Sequence, residues 1–167
     1  GLEQAIQNLQ DVLRSNGFYH SRIKAEFEHD PTTQQVRIHF LIDSGERDRY
    51  TTPDIKGNPG RSVEEILGAT RWKGWLGWKK VTEPRTQEGV QRVRRYYQKQ
   101  DRLEARVSLE SIVHEADSGR VRPTLAIEPG PKIRIELTGA KLSRGKLRQL
   151  VPVYEEQSVD RDLLAEG

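Results

Sequence analysis

The chain has 167 residues, no cysteine, no methionine and a net charge of 28 − 25 = +3. The lack of cysteine excludes disulfides, thiol catalysis and cysteine-ligated zinc. Only 34% of the residues are hydrophobic, so the cores must be small, and no run of about 18 apolar residues predicts a membrane span. A glycine at position 1 and the lack of methionine predict an excised fragment, in which a missing signal peptide says little about compartment.

The first 43 residues predict a helix followed by two strands. Apolar residues at helical spacing predict a helix over 2–16, which Gly17 ends. Strict alternation of apolar and polar residues predicts strands over 21–28 and 35–43. The intervening Asp30-Pro31-Thr32-Thr33 is typical of a turn, so the two strands should form a hairpin.

The middle of the chain predicts a fuller set of elements. Ser62 and Glu65 have the spacing of a capping box, which indicates that a helix begins there. Ile112 breaks the alternation of its strand, so we expect a bulge or twist near Ser111. The elements predicted here are a strand over 50–56, a helix of about two turns after Ser62, an irregular segment over 72–80, a helix over 86–100, and strands over 103–113 and 121–128.

The last residues begin the same cycle again. Ile133, Ile135 and Leu137 alternate as in a strand, a helix is predicted over 143–149, and residues 158–164 have the pattern of a further helix start.

A repeated motif explains this recurrence. The segment 42–47 recurs at 127–132, an offset of 127 − 42 = 85 residues, and Gly57 recurs as Gly139, an offset of 139 − 57 = 82. The repeat predicts an α+β fold of tandem βααββ units, each a three-stranded mixed sheet with two helices on one face. We assign residues 48–131 to one complete unit, 1–47 to the αββ end of a preceding unit and 132–167 to the start of a following one.

This order of motifs resembles the POTRA (polypeptide-transport-associated) domain. An apolar residue, a spacer and a glycine follow the first strand, and segments 13–23 and 96–107 are similar to the family's helix-to-strand run. Asp101 stands where the family usually has glycine, which predicts a less sharp turn there. The resemblance covers almost the whole chain.

The resemblance implies a periplasmic scaffold that precedes an outer-membrane β-barrel, as in proteins similar to the assembly factor BamA. It implies binding of unfolded outer-membrane polypeptides and accessory lipoproteins, with no catalytic residues and no cofactor. One alternative is a two-partner secretion or TamA-type translocation transporter. An alternative of another class is a basic RNA-binding α+β domain, although few aromatic residues are predicted on the sheet face and no nucleic acid is expected.

The predicted binding site is the backbone of an edge strand. An extended peptide can pair with an edge strand through backbone hydrogen bonds that do not depend on its sequence. An ordinary edge, guarded against aggregation by charges such as Glu104, is the alternative. The residues assigned to this edge are Arg106, Val107, Ser108, Leu109, Glu110, Ser111, Ile112 and Val113.

A second predicted surface is aromatic and basic, formed by Trp72, Trp75, Trp78, Lys79 and Lys80. It suits single-stranded nucleic acid or a membrane surface. The alternative is that the rings close the core at the end of the helix layer.

The four histidines, His20, His29, His39 and His114, are scattered along the chain. We expect them to be solvated, and no metal site is predicted.

The boundaries of the units predict one further partner. Residues 2–47 and 132–167 each amount to half a unit with an exposed apolar face. We expect the first segment to dock on the second segment of a neighbouring copy, head to tail, which makes a ring or an open chain.

Overall fold

The computed structural model describes residues 1–139, and these form an α+β structure with three helices and small sheets. In this described part, no helix is long and apolar enough to cross a membrane. The helices are α1 (Leu2–Ser15), α2 (Val63–Thr70) and α3 (Glu83–Gln98). The strands are β1 (Arg22–Asp30), β2 (Gln35–Asp43), β3 (Arg49–Tyr50), β4 (Asp54–Gly57), β5 (Lys73–Gly74), β6 (Gly77–Trp78), β7 (Arg106–Glu115) and β8 (Arg120–Glu128).

The main sheet is mixed, with β8 at its centre. Strand β7 pairs with β8 antiparallel on one side, and β3 and β4 pair with it parallel on the other. The predicted strand over 50–56 is therefore two short strands. Pro53, which has no amide hydrogen, lies in the gap between them. The Arg122 side chain donates to the Thr52 carbonyl in this gap at 2.6 Å.

Capping side chains set where helices α2 and α3 begin. The backbone N–H of Glu65 donates to Ser62 Oγ at 3.2 Å, so the predicted start of α2 is confirmed. Helix α3 begins three residues before the predicted position 86, because Thr82 caps it through the N–H of Arg85 and Pro84 is compatible with a first turn.

The core lies between α2, α3 and the main sheet. Val90, Val93 and Tyr97 of α3 share a buried cluster with Leu125 and Ile127 of β8, which confirms the packing expected from their spacing. Val107 and Leu109 of β7 pack against this cluster.

A stacked aromatic pair extends the core toward β3. Tyr50 and Trp72 are fully buried, and their rings lie 5.0 Å apart at 11°. The hydroxyl of Tyr50 lies 2.6 Å from Thr86 Oγ1, and the indole N–H of Trp72 donates to the Arg85 carbonyl at 3.0 Å. Gly89 gives this ring its space, since a Cβ at that position would overlap the indole ring of Trp72 at Nε1.

The predicted bulge is present in β7. The pairing with β8 shifts between Leu109 and Ser111, so Glu110 is the additional residue. Beyond it Ile112 packs against the core while Val113 faces outward.

The hairpin of β1 and β2 stands outside the main sheet, and among the described strands the two pair only with each other. Its apolar face is largely uncovered by the described residues: Phe27 is 54% exposed, and Ile38 and Ile42 are also exposed. Strand β2 lies at the predicted positions, and β1 runs two residues further than predicted.

The backbone itself repeats at the offset of the sequence motif. Gly45 and Gly130 have φ of 68° and 70°, and Gly57 and Gly139 have φ of 90° and 82°. The N–H of Asp48 donates to the Gly17 carbonyl at 2.8 Å, and that of Ile133 donates to the Asp101 carbonyl at 2.8 Å. The donors of these two bonds are 133 − 48 = 85 residues apart, and their acceptors are 101 − 17 = 84 residues apart. In both places the chain therefore returns to the preceding helix-to-strand turn and bonds to it in the same way.

Two sequence predictions need correction here. Asp101 takes a left-handed φ of 63°, comparable with 86° at Gly17, so the turn is made without glycine. Residues 133–137 are not a strand, since none of the described strands pairs with them. The predicted helices over 143–149 and 158–164 lie outside the described residues.

Candidate functional site

Among the strands that the structure describes, β7 is an edge of the main sheet. It pairs with β8 along one side, and no other described strand pairs with its second side. An antiparallel ladder directs alternate backbone groups of an edge strand away from its neighbour. The residues predicted as the binding edge, Arg106 to Val113, all lie in this strand.

The two faces of this edge differ. Val107, Leu109 and Ile112 are half-buried against the core, whereas Ser108 and Ser111 are exposed on the opposite face. A strand added beside β7 would therefore place every second side chain on the helix-covered side of the sheet.

Charge and the bulge limit what the edge can pair with. Glu110 forms an ion pair of 3.3 Å with Lys56 of β4 across the open face. A bulge interrupts a regular ladder and twists an edge away from a second sheet. The edge therefore offers two short regular stretches, on either side of Glu110, and not one long template.

The predicted aromatic-basic surface is only partly a surface. Trp72 is fully buried in the core, so it is removed from that set, and the alternative of core closure holds for this ring. Trp75 is 94% exposed at the tip of the β5–β6 hairpin, next to exposed Leu76. Trp78 packs against the core under the Lys73 ammonium, 5.1 Å from its ring centre. Lys79 is half-buried and Lys80 exposed.

A third group of polar side chains was not expected from the sequence. His114 Nε2 lies 2.7 Å from Asp48 Oδ2, and His20 Nε2 lies 3.5 Å from the same oxygen. The Tyr19 ring stacks on His114 with centres 4.2 Å apart. Burial raises the pKa of Tyr19 above its ordinary value; the charge of Arg14 lowers it to a smaller extent, and the charge of Asp48 adds to the rise.

His114 is thus not solvated, contrary to expectation, since only 17% of its side chain is exposed. The bulge at Glu110 turns it toward the core side, opposite Val121. The sequence signal for this orientation was the break in the alternation of apolar residues near Ser111. The contact between Asp48 and His114 could not be predicted from local sequence pattern, because the two residues are 114 − 48 = 66 positions apart.

Comparison with known proteins finds likeness at the level of structure. No protein-family model and no curated protein matches the chain. The crystal structure of POTRA domains 3–5 of BamA from Haemophilus influenzae is similar over 99% of this chain and 69% of its own, at 17% identity and a TM-score of 0.47. The N-terminal domain of Omp85 from Thermosynechococcus elongatus is similar over 98% and 70%, at 16% identity and a TM-score of 0.41.

The BamA structure from Haemophilus ducreyi that lacks POTRA domains 1–3 is similar over 77% of this chain, at 15% identity and a TM-score of 0.40. This chain covers 23% of that one. The chain is therefore structurally similar, over nearly its whole length, to POTRA domain structures at low sequence identity.

Proposed function

We propose that this chain is a non-enzymatic POTRA-type scaffold that binds extended segments of unfolded outer-membrane proteins along the open side of β7. The observation that carries the proposal is that β7 hydrogen-bonds to β8 alone among the described strands. Backbone pairing is insensitive to sequence, which suits a receptor for many different clients. A bulged edge of two short stretches favours brief, weak pairing over aggregation.

The proposal also covers the cellular location of the scaffold and its binding partners. The scaffold would lie in the periplasm, attached to an outer-membrane β-barrel of the same parent protein, and would dock accessory lipoproteins. Within it, residues 48–131 would be one complete unit, 1–47 the end of a preceding unit and 132–167 the start of a following one. The recurring left-handed positions at Gly45 and Gly130, and at Gly57 and Gly139, support this division.

A translocation transporter of the two-partner or TamA type would use the same units, and client identity would separate it from an assembly factor. An RNA-binding domain is less well supported. The strands of the main sheet place residues such as Lys56, Ser108 and Ala126 on the open face, and β4, β7 and β8 contain no Phe, Tyr or Trp. Base stacking on a sheet needs such rings.

Disulfide trapping tests the proposed edge, because the chain contains no cysteine of its own. Ser108→Cys and Ser111→Cys place a thiol on the exposed side of β7 with little change in shape. A ten-residue peptide of alternating apolar and polar residues, with one cysteine, serves as the client. We expect both variants to trap the peptide faster than Ser118→Cys, which lies in the exposed turn after β7. Equal trapping at all three positions would overturn the edge assignment.

A further inference from the structure

Three side chains with metal-binding atoms meet at the junction between the first 47 residues and the section that follows. His20 lies between α1 and β1, Asp48 immediately precedes β3, and His114 lies on β7. One nitrogen from each histidine and one carboxylate oxygen all lie within 4.8 Å of one another.

The backbone holds these residues in place from both sides of the junction. Asp48 donates its N–H to the Gly17 carbonyl at 2.8 Å and accepts the N–H of Val81 at 2.9 Å. Gly17 allows this close approach, since a Cβ there would lie 2.8 Å from the Val81 oxygen. The Asp48 carboxylate is therefore a positioned group, with its side chain only 10% exposed.

The histidines are oriented as well. Stacking on Tyr19 fixes the plane of the His114 ring, and His20 approaches it edge-on with centres 5.6 Å apart. An open hollow lies beside His114 and is also lined by Tyr19, Arg14 and Asp11. His20 is 57% exposed, so it can adjust to an incoming ion.

Two imidazoles and one carboxylate are a ligand set that divalent zinc accepts. Zinc holds such atoms at about 2.0–2.2 Å, which puts neighbouring ligand atoms about 3.3–3.6 Å apart in a tetrahedron. The His20–Asp48 distance of 3.5 Å already fits this spacing. The His114–Asp48 pair, at 2.7 Å, must open by less than 1 Å.

We propose that His20, Asp48 and His114 bind one zinc ion, with water as the fourth ligand, and that this ion clamps the first αββ segment to the unit that follows it. Such a clamp would fix the angle between successive parts of the scaffold. The proposal concerns a site separate from the peptide-binding edge and does not depend on that function.

The test uses the tag-free, metal-stripped full chain and zinc alone. Calorimetry should find one zinc per chain, and zinc should raise the melting temperature, because a ligand of the folded state stabilises it. Cobalt should give the visible absorption of a tetrahedral site, and magnesium should not bind, since it prefers oxygen ligands. His20→Gln and His114→Gln should weaken zinc binding by at least about tenfold.

The matched control is His39→Gln. His39 lies 3.2 Å from Glu28 on the hairpin, a histidine–carboxylate pair without a third ligand in the described part of the chain. This variant should bind zinc like the wild type. If His114→Gln fails to fold, His20→Gln decides, because its side chain is largely exposed. Unchanged zinc affinity in His20→Gln, equal loss in His39→Gln, or no binding by the wild type would each overturn the proposal.

Discussion

Ile112 lies directly opposite Pro123 in the ladder of β7 and β8. Proline is rarely tolerated in a central strand, because it removes a ladder donor. Here the ladders on both sides are irregular near it: Glu110 is an extra residue in β7, and the gap between Tyr50 and Asp54 separates β3 from β4. The bulge and the gap allow the proline, and the bulge decides which side chains of β7 face the core.

Inserting one alanine between Ser111 and Ile112 should therefore destabilise the fold. A one-residue change of register sends every later side chain to the other face, so Ile112 would turn outward and Val113 inward. We expect a loss of about 2 kcal/mol or more in the free energy of unfolding, measured by urea denaturation.

Glu110→Ala is the matched control for this insertion, since it keeps the bulge and removes only the exposed ion pair with Lys56. That change should cost about 1 kcal/mol or less. An insertion variant as stable as Glu110→Ala would show that the register after the bulge does not set the packing.

Gly89→Ala should destabilise the protein although alanine is the better helix former. The new methyl would overlap the Trp72 ring, with which Tyr50 stacks. Overpacking typically costs about 1–3 kcal/mol, which exceeds the gain of about 1 kcal/mol in helix propensity.

Gly68→Ala in α2 is the control, since a Cβ there meets no atom within 4 Å. We expect this variant to melt at the same temperature as the wild type or higher. A Gly89→Ala variant that melts no lower than Gly68→Ala would contradict the described position of Trp72.

Val93→Asp should unfold the middle section. Val93 is fully buried in the core, and an unpaired carboxylate there costs several kcal/mol against a total stability of roughly 5–15 kcal/mol. Gln91→Asp, on the exposed side of α3, introduces the same group and should leave the circular dichroism spectrum unchanged. Similar melting temperatures for the two variants would argue against the packing of α3 on the sheet.

Alkaline pH should weaken the fold through Tyr97. Its hydroxyl donates to the Pro59 carbonyl at 2.6 Å, and burial, with a smaller effect of Tyr96, raises its pKa to about 12 from 10.0. Between these values the unfolded chain loses the proton while the folded chain keeps it, so stability present below pH 10 is lost as the pH rises toward 12.

Tyr97→Phe should be less stable at neutral pH by about 1 kcal/mol, because the Pro59 carbonyl loses its donor. Its free energy of unfolding should also fall less steeply between pH 10 and 12 than that of the wild type. Parallel curves for the two proteins would show that Tyr97 does not carry this dependence.

Elements with a local cause could be predicted from the sequence. The cap of α2 at Ser62, the β1–β2 hairpin and the bulge near Ser111 each depend on residues within a few positions of one another. Features that depend on distant residues could not. Trp72 is buried because Gly89 leaves space for its ring, and residues 133–137 are not a strand because pairing needs a partner.

The same distinction between local and long-range causes applies to the candidate site. Alternation located the edge strand, but whether that edge is open depends on the order of strands in the sheet, which local pattern does not determine. His20, Asp48 and His114 come together through three separate features. The helix-to-strand turn places His20, the return of the chain to this turn places Asp48, and the bulge in β7 orients His114. The predicted head-to-tail docking of residues 2–47 on 132–167 of another copy remains a prediction, and light scattering at micromolar concentration tests it.

The central claim is that extended polypeptide pairs with the open side of β7. Titrating the isotope-labelled chain with the cysteine-free form of the client peptide, and following the backbone amides by NMR, tests it most directly. We predict weak binding, with Kd in roughly the high-micromolar to millimolar range, shift changes in Arg106 to Val113, and slower hydrogen exchange at alternate amides of that strand. Shift changes confined to the Trp75 hairpin or to the β1–β2 face would contradict it.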